Sequence, residues 1–436
     1  MGVFNVVECG AIGDALTDDA AAFARAIDAC ATGGGGLVVV PAGRTYLCSQ
    51  IVLKSNVELH IERGARILIS AEAAAYEQLP GNRRRFGILA YCAQNVAITG
   101  GGTIDGNGRS VIREELPHIY RVHRRRPFTI GMVNCRHVTL QDLTIRDAAV
   151  WTVTLSGCDD VTIHNIRLYN DLKLPNNDGI DIDHCRNVRI SDCHIEAGDD
   201  CICLKTHTDY GGTGPCENVT VTGCTLMSMS CALVIGCEVG EPIRNVVFSS
   251  CVIKSSHRGL GIHLSKGSDV ENVIFTDMVV ETRLFHEDWW GAGEPIYVTA
   301  IPWTAHDAIG AVRHVRFSNI LCRSENGVFI QGWERHLIDN IVFDNVRVEL
   351  DKWSKVPGGR HDIRPCPGEG VLEHPTAGFF IKNAQNITLR NCEVAWGSNR
   401  PEYFRHALEC HNVPGLKVAG FKGEAAHPGV EAWYIT

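Results

Sequence analysis

The chain has 436 residues, of which 45% are hydrophobic and 21% are charged, and its formal net charge is −9. Such a composition is typical of a globular protein with a large core, and the acidic balance argues against nucleic-acid binding because there is no surplus of Lys and Arg to neutralise phosphates. No apolar run reaches the about 18 residues of a transmembrane helix, so we expect no membrane partner. Residues 1–5 contain neither the cationic nor the apolar part of a secretory signal, which predicts a cytoplasmic protein, or a secreted one if a leader was removed.

The first 50 residues are predicted to form a cap with the first strands. Phe4–Val7 and Leu37–Val40 are apolar enough for strands, and Asp18 is placed to cap a helix over Asp19–Cys30. A short amphipathic helix at the start of a long β-protein can cover the open end of a sheet stack. Gly33–Gly36 is predicted to be a turn and not a phosphate loop, because no Gly-Lys-Ser/Thr follows it.

One phrase recurs over residues 51–436: Asn, Asp or His, then Val or Ile, then alternating residues. Its first residues are Asn56, Asn95, His137, Asp160, Asn187, Asn218, Asn245, Asn272, His314, Asn340 and Asn386. From His137 the next intervals are 23, 27, 31, 27 and 27 residues. Short strands repeated at this period, without helices between them, are typical of a parallel β-helix. We therefore predict an all-β fold, one β-helix domain over 1–436 with about ten coils and a short N-terminal capping helix.

Longer intervals in the repeat indicate three loop insertions, around 80–130, 280–310 and 350–380. Loops that leave one side of a solenoid usually form its binding groove, and long ones favour action at a chain end by closing the groove. In the second insertion Trp289 and Trp290 can stack on sugar rings while Glu294 accepts hydroxyl protons; a packed satellite cluster is the alternative. Trp333, on a later coil, is a further candidate for the groove.

Between residues 176 and 205, five aspartates surround two short alternating segments: Asp178, Asp181, Asp183, Asp199 and Asp200. Ile180 and Ile182 alternate with Asp181 and Asp183, which predicts a strand with one apolar and one solvent-exposed face. Asp199 and Asp200 open the next segment, 21 residues after Asp178, which is about one turn of the repeat. The three side chains Asp178, Asp199 and Asp200 are therefore expected to lie side by side on neighbouring strands.

Three crowded carboxyls suit hydrolysis of a glycosidic bond. That reaction needs one protonated carboxyl to protonate the leaving oxygen and one carboxylate to act on water or on carbon. Crowded carboxylates cannot all be ionised near neutral pH, so at least one is expected to have a raised pKa and to be available as an acid. The alternative is structural: Asp and Asn in turns satisfy backbone donors.

The 19 cysteines are predicted to be mostly reduced, small core residues. Four of them have the same offset in the repeat and should stack in one column: Cys135, Cys158, Cys185 and Cys216. Cys201 and Cys203 alternate with apolar residues and should face the core, and no Cys-x2-Cys pair is present. We expect no metal site and no other cofactor.

Asn176-Asn177-Asp178 followed by Gly198-Asp199-Asp200 resembles the Asn-Thr-Asp and Asp-Asp motifs of polygalacturonases, glycoside hydrolase family 28. Similarity at Phe4-Asn5-Val6 and at Gly100–Gly106 extends the resemblance over nearly the whole chain. It implies a right-handed parallel β-helix and an inverting hydrolase of pectin degradation without a cofactor. Asp199 would be the general acid and Asp178 and Asp200 would activate water, with carboxyl separations of roughly 6.5–9.5 Å.

Two motifs of the family are altered. Its Gly-His-Gly motif aligns with Ser230–Gly236, where Cys231 replaces the histidine, and its Arg-Ile-Lys motif aligns with Gly261–His263. In polygalacturonases these cations hold the carboxylate of the galacturonate being cleaved. Either Arg258, His263 or an arginine of the segment 121–126 supplies the charge, or the sugar at the cleavage site is neutral, as in rhamnose-releasing relatives. The predicted substrate-binding residues are Asn176, Asp181, Lys205, Cys231, Arg258, His263, Trp289, Trp290, Glu294 and Trp333.

The sequence thus predicts an exo-acting, inverting hydrolase of pectic or related plant cell-wall oligosaccharides. One alternative is a polysaccharide lyase or epimerase on the same scaffold, which needs a base near a uronate C5 and a cation for its carboxylate. Another is a carbohydrate-binding β-helix whose aspartates are inert. The expected partner in each case is an oligo- or polysaccharide, and the sequence leaves the oligomeric state open.

Overall fold

The computed structural model describes residues 2–72, 76, 84–207, 212–333 and 337–436; residues 80–83 of the first predicted insertion lie outside this part. Within it there is one α-helix, α1 (Ala20–Thr32), and one 3-10 turn, Gly108–Val111. No helix in these ranges is both long and apolar enough to cross a membrane.

The first strands of the described chain, as far as Ser191, are β1 (Gly2–Asn5), β2 (Asp14–Asp18), β3 (Gly36–Val40), β4 (Thr45–Cys48), β5 (Ile51–Leu53), β6 (Val57–Ile61), β7 (Arg66–Ile69), β8 (Phe86–Tyr91), β9 (Gln94–Gly100), β10 (Thr103–Asp105), β11 (Ile112–Glu115), β12 (Tyr120–Val122), β13 (Phe128–Val133), β14 (Arg136–Gln141), β15 (Thr144–Arg146), β16 (Val153–Ser156), β17 (Asp159–His164), β18 (Arg167–Tyr169), β19 (Ile180–Asp183) and β20 (Arg186–Ser191). The later strands are β21 (His194–Ala197), β22 (Ile202–Thr206), β23 (Cys216–Thr222), β24 (Thr225–Ser228), β25 (Cys231–Val239), β26 (Ile243–Ser249), β27 (Val252–Ser256), β28 (Arg258–Gly267), β29 (Val270–Thr282), β30 (Ile296–Ala300), β31 (Val312–Ser324), β32 (Val328–Gly332), β33 (Ile338–Leu350), β34 (Arg360–Asp362), β35 (Val371–Glu373), β36 (Phe379–Lys382), β37 (Ala384–Gln385), β38 (Thr388–Arg390), β39 (Glu393–Trp396), β40 (Leu408–His411), β41 (Lys417–Ala419) and β42 (Trp433–Ile435).

The chain divides into two compact units. The first consists of Met1–Ile202 with His207–Val219, and the second of Cys203–Thr206 with Thr220–Thr436. The prediction that 1–436 is a single domain stays a prediction.

Three parallel ladders build the first unit. One runs β3, β6, β9, β14, β17 and β20; the second runs β4, β7, β10, β15, β18 and β21; the third runs β5, β8, β13, β16 and β19. Each coil of the chain gives one strand to each ladder. The antiparallel pair β11 and β12 belongs to the first predicted insertion.

The second unit repeats this plan with longer strands. β26, β29, β31, β33 and β38 form one parallel ladder, and β25, β28, β30, β32, β36, β40 and β42 form another. The antiparallel pair β34 and β35 lies in the third predicted insertion. The predicted fold class, an all-β right-handed parallel β-helix, is confirmed.

The first residue of every repeated phrase adopts the left-handed backbone conformation. All eleven have φ between 54° and 64°, a region in which Asn, Asp and His are enriched. Several of their side chains also hydrogen-bond from coil to coil: Asn95 Nδ2 donates to Asn56 Oδ1 at 2.8 Å and Asn218 Nδ2 to Asn187 Oδ1 at 3.2 Å. The repeated residue therefore bends the chain and ties neighbouring coils together.

Inside the coils, equivalent positions stack in columns. In the second unit the phenylalanines of four successive phrases are fully buried and stack with centroid distances of 4.8–4.9 Å: Phe248, Phe275, Phe317 and Phe343. In the first unit the cysteine column is confirmed where the Cys158 N–H donates to Cys185 Sγ at 3.3 Å. All 19 cysteines are free thiols.

The N-terminal helix begins one residue later than predicted. It spans Ala20–Thr32, and Asp19 occupies the N-cap position without a side-chain capping bond. The carboxylate of Asp19 instead accepts the N–H groups of Ile12 and Gly13 at 2.7 and 2.9 Å. The Asp18 carboxylate accepts the Ala20 N–H at 3.0 Å, so Asp18 still satisfies a donor of the first turn. The first strand, β1, begins two residues before the predicted Phe4, whereas β3 covers the predicted Leu37–Val40.

Phe275→Ala should lower the free energy of unfolding by about 3–5 kcal/mol, because it leaves a cavity between two stacked rings in the core. Val279→Ala on the same strand is the control: Val279 is 51% exposed, so the change should stay within about 0.5 kcal/mol. Urea unfolding of both variants measures the difference. Equal stability of the two variants would contradict a core held by this stack.

Candidate active site

The strands place Asp178 beside Asp199 and Asp200. The Gly179 N–H donates to the Asp200 carbonyl at 2.8 Å, and the Ile180 N–H donates to the Cys201 carbonyl at 2.9 Å. These bonds align the two segments laterally, so 21 residues of sequence separation become one step between neighbouring strands. The expected convergence of the three aspartates is therefore present.

One carboxylate oxygen from each of Asp178, Asp199 and Asp200 lies within 4.8 Å of the other two. Asp178 is 3% exposed, and the other two are half-buried. At the nearest oxygens the spacing is shorter than the roughly 6.5–9.5 Å expected for an acid and a base with water between them. Like charges this close repel, which is the condition for one carboxyl to keep its proton. The same three oxygens are close enough to ligate a cation, and the absence of a metal stays a prediction.

Asn177 supports this cluster from beneath. Its side chain is fully buried, its Oδ1 accepts the Gly198 N–H at 2.8 Å and its Nδ2 donates to the Asp171 carbonyl at 2.8 Å. Asn170 Nδ2 donates to the Asn177 carbonyl at 2.7 Å. The residue before Asp178 is thus tied to the residue before Asp199. The sequence interpretation gave Asn177 no role, although it is the second residue of the Asn-Asn-Asp motif.

The predicted substrate residue Asn176 lies at the exposed edge of the cluster. Its backbone is left-handed, with φ of 58°, and its Nδ2 lies 3.4 Å from Asp199 Oδ2. Its Oδ1 accepts a hydrogen bond from Arg126 at 3.1 Å. Asn176 therefore links the first insertion to the Asp199 carboxylate.

Arg126 comes from the arginine-rich segment of the first insertion. Its Nη1 donates to the carbonyls of Ala149 and Pro175 at 2.9 and 2.6 Å. Burial lowers the pKa of Arg126, and the charges of Asp178 and Asp199 act against this shift. The arginine is therefore a fixed cation within electrostatic range of two of the aspartates. The clustering of arginines was the sequence signal for it, but four arginines between 121 and 126 gave no means of choosing one.

The prediction of a solvent-exposed face on β19 was wrong. Asp181 and Asp183 are both fully buried, and β16 pairs alongside with Ser156 opposite Asp183. The Asp183 carboxylate accepts the Ser156 hydroxyl at 2.9 Å and the His207 N–H at 2.7 Å, while burial raises its pKa. Neighbouring coils and the chain after β22 cover this face. Asp181 is thus fully buried, and the substrate contact predicted for it stays a prediction.

Lys205 and Cys231 belong to the second unit and are buried. Lys205 is 7% exposed on β22, and Cys231 is 4% exposed on β25. The Cys231 thiol packs with Cys203 and Val234 and donates to the Leu233 carbonyl at 3.4 Å. The substrate-binding roles of Lys205 and Cys231 stay predictions.

Arg258 is engaged by groups of its own unit. Its Nε donates to Glu294 Oε2 at 3.1 Å, its Nη2 donates to the Asp362 carbonyl at 2.9 Å, and its guanidinium carbon lies 3.7 Å above the Tyr297 ring. Arg258 is 6% exposed and Glu294 1%. The ion pair offsets the free-energy cost of burying both charges. Arg258 and Glu294 therefore neutralise each other inside the protein.

His263 does not supply a positive charge. Burial, together with the charge of Arg258, lowers the pKa of His263 to about 3, so its ring is neutral near neutral pH. The ring packs edge-on against Tyr297 at 5.6 Å. His263 can therefore bind a substrate as a neutral hydrogen-bonding group but cannot replace a lysine.

The predicted tryptophans are held in different ways. Trp290 is 42% exposed, and the guanidinium of Arg364 lies 5.9 Å from its ring. The carbonyl of Trp289 accepts a hydrogen bond from Arg364 at 2.9 Å. Trp333 is half-buried against the aromatic cluster that includes Tyr297. Trp290 thus presents a ring to solvent, whereas Trp333 packs against the core, and the substrate contacts of all three tryptophans stay predictions.

Comparisons with known proteins bear on the family and on the fold. Residues 30–283 match the model of "Glycosyl hydrolases family 28". A protein of Arabidopsis thaliana described as a probable polygalacturonase is 32% identical over 206 residues, and the match covers 47% of this chain and 43% of that protein. The chain thus spans less than half the length of this relative.

Two solved structures share the architecture. An exopolygalacturonase of Thermotoga maritima is 25% identical, with a TM-score of 0.68, covering 80% of this chain and 87% of its own. A family 28 exopolygalacturonase of Yersinia enterocolitica is 18% identical, with a TM-score of 0.69, covering 96% of this chain and 77% of its own; at that identity the likeness concerns the fold alone.

Asn177→Ala should reduce hydrolysis of a pectic oligosaccharide about 100-fold, because the variant frees the turns that hold Asp178 and Asp199, and small displacements of reacting groups are costly. It should also cost about 1–3 kcal/mol of stability by stranding a buried N–H and a carbonyl. Gln141→Ala, which removes a more exposed amide whose Nε2 donates to neighbouring Asp142, is the control. Steady-state kinetics measure the effect. If Asn177→Ala is less stable but hydrolyses the substrate at the parent rate, the role of Asn177 is structural only.

Proposed function

The chain belongs to glycosyl hydrolases family 28, and on this premise we propose that it is an inverting glycoside hydrolase that cleaves α-glycosidic bonds of pectic oligosaccharides from one chain end. The observation that carries the proposal is the convergence of Asp178, Asp199 and Asp200 within 4.8 Å. The exo mode is supported by the insertions on the coils and by the likeness to the Thermotoga maritima exopolygalacturonase.

In the proposed reaction Asp199 gives its proton to the glycosidic oxygen as the bond to the anomeric carbon breaks. Asp178 and Asp200 hold a water molecule and accept its proton while its oxygen attacks the opposite face of that carbon. Asn176 supports this assignment, because its amide lies against the Asp199 carboxylate and positions it. The products are two sugars, and the protein ends with the same number of protons.

We further propose that the sugar at the cleavage site is neutral. A uronate carboxylate needs a cation, yet Arg258 is already paired with Glu294 and His263 is neutral. Arg126 is near the aspartates, but three of its hydrogen bonds go to protein oxygens. Its role is then to position Asn176. Galacturonate held by Arg126 is the second candidate, favoured by the position of its charge.

Asp199→Asn should lower kcat by about 10³-fold, since the amide cannot donate a proton of comparable acidity. Asp192→Asn, an exposed carboxylate of the same unit, is the control and should leave kcat unchanged. Reducing-sugar release from pectic oligosaccharides measures both. Unchanged activity in Asp199→Asn would remove this residue from the chemistry, and no hydrolysis by the parent protein would favour an inert carbohydrate-binding β-helix.

Oligosaccharides that end in a neutral sugar, such as rhamnose, should be cleaved with a higher kcat/KM than all-galacturonate oligosaccharides of equal length. The reason is that Arg258 is paired with Glu294, His263 is neutral and Arg126 donates to protein oxygens. The second measurement is the KM of Arg126→Gln for all-galacturonate oligosaccharides. If galacturonate is preferred and Arg126→Gln selectively raises its KM, the neutral-sugar proposal is wrong and the second candidate is right.

A further inference from the structure

A concave site on the first unit lies on the outer face of the second ladder. In the register of β7, β10, β15 and β18, one row contains Arg66, Thr103 and Thr144, and the next outward row contains Asp105, Arg146 and Tyr169. The row between them, with Ile104 at its centre, is buried in the core. Arg66, Thr103, Thr144, Arg146 and Tyr169 line a cavity of about 610 Å³ together with Arg109, Asp147, Asn170 and Asp171. The buried Asp105 contacts two of the lining arginines, Arg66 and Arg146.

The charges of this cavity are layered. Side-chain exposure is 3% for Asp105 and 14% for both Asp147 and Asp171, whereas it is 44% for Arg66, 50% for Arg146 and 76% for Arg109. The carboxylates therefore form the floor and the guanidinium groups form the rim. What an incoming ligand meets is positive, although the total charge of these six groups is close to zero.

The floor holds the arginines in place. Arg66 Nη2 lies 2.7 Å from Asp105 Oδ2, and Arg146 bridges the same carboxylate at 3.4 Å and Asp147 at 2.5 Å. Arg109 has a looser contact, 3.6 Å from Asp171. Two fixed guanidinium groups and one adaptable group suit recognition of a planar carboxylate.

Tyr169 adds a flat apolar surface to this rim. It is 41% exposed, and the His194 ring supports it at 5.2 Å. An exposed ring beside arginines and threonine hydroxyls matches a sugar that carries a carboxylate: the ring stacks, the hydroxyls bind the threonines and the carboxylate binds an arginine. A cavity of this volume accommodates one or two sugar residues.

We propose that this cavity is a non-catalytic binding site for a uronate residue of an acidic polysaccharide. The proposal rests on the proposed function only for the source of the uronate, since pectic chains contain galacturonate. The site is separate from the three catalytic aspartates but shares a support with them. The carboxylate of Asp171 faces Arg109, and the carbonyl of Asp171 accepts a hydrogen bond from Asn177 Nδ2. An acidic stretch of substrate held here leaves the catalytic cluster free for a different sugar.

The test uses the full chain carrying Asp199→Asn, so that ligand stays intact, and measures binding of trigalacturonate by calorimetry. Adding Arg109→Ala or Tyr169→Ala should weaken this binding at least 10-fold. Arg136→Ala is the matched control, because Arg136 is 67% exposed and pairs with Asp159 elsewhere on the same unit. It should leave binding unchanged. Thermal unfolding of each variant confirms that it is folded.

Two further measurements distinguish binding of a uronate from binding of a neutral sugar or of any anion. A neutral galactose trimer should bind at least 10-fold more weakly than trigalacturonate, and inorganic phosphate should fail to displace trigalacturonate at equal concentration. Equal binding of the neutral trimer, displacement by phosphate, or unchanged affinity in both Arg109→Ala and Tyr169→Ala would overturn the proposal. Loss of hydrolysis alone bears on the proposed function and not on this site, because binding is measured in the inactive variant.

Discussion

The lateral register of the coils is the constraint on which the rest of the structure depends. Each repeated phrase begins with a left-handed residue, and the Asn56 to Asn95 hydrogen bond is one instance in which this residue also joins the next coil. Because the bend recurs at the same place in each coil, residues about one repeat apart become neighbours across a parallel ladder. The proximity of Asp178 to Asp199 follows from this register, and so does the alignment of the buried phenylalanines.

The scaffold brings carboxylates together, and buried amides keep them there. Both ends of the Asn177 side chain are hydrogen-bonded to backbone groups. The two segments that carry the aspartates therefore cannot separate without leaving a buried N–H and a carbonyl unpaired. Arg126 adds a fixed positive charge that interacts with Asp178 and Asp199. A rigid arrangement of like charges is what a hydrolytic site needs, since the repulsion is present before the substrate binds.

The sequence predicted the features that depend on the repeat period of the coils. It did not predict contacts between side chains of segments that are far apart along the chain. The β-helix, the cysteine column and the three converging aspartates all follow from spacing, which local pattern reveals. The burial of Asp181 does not follow from spacing. Alternating residues indicate that the strand has a second face, but they do not indicate what covers that face. The pairing of Arg258 with Asp362 spans 104 residues and an insertion, so no spacing rule could have found it. The choice of Arg126 among its neighbours depended on loop geometry in the same way.

The most direct test of the central claim is the configuration of the first product, followed by proton NMR during cleavage of a pectic oligosaccharide by the parent protein. An acid and a water-activating pair predict that the newly formed reducing end appears first in the inverted anomeric form and equilibrates afterwards. Appearance of the retained anomer first, or of an unsaturated sugar without hydrolysis, would contradict the account.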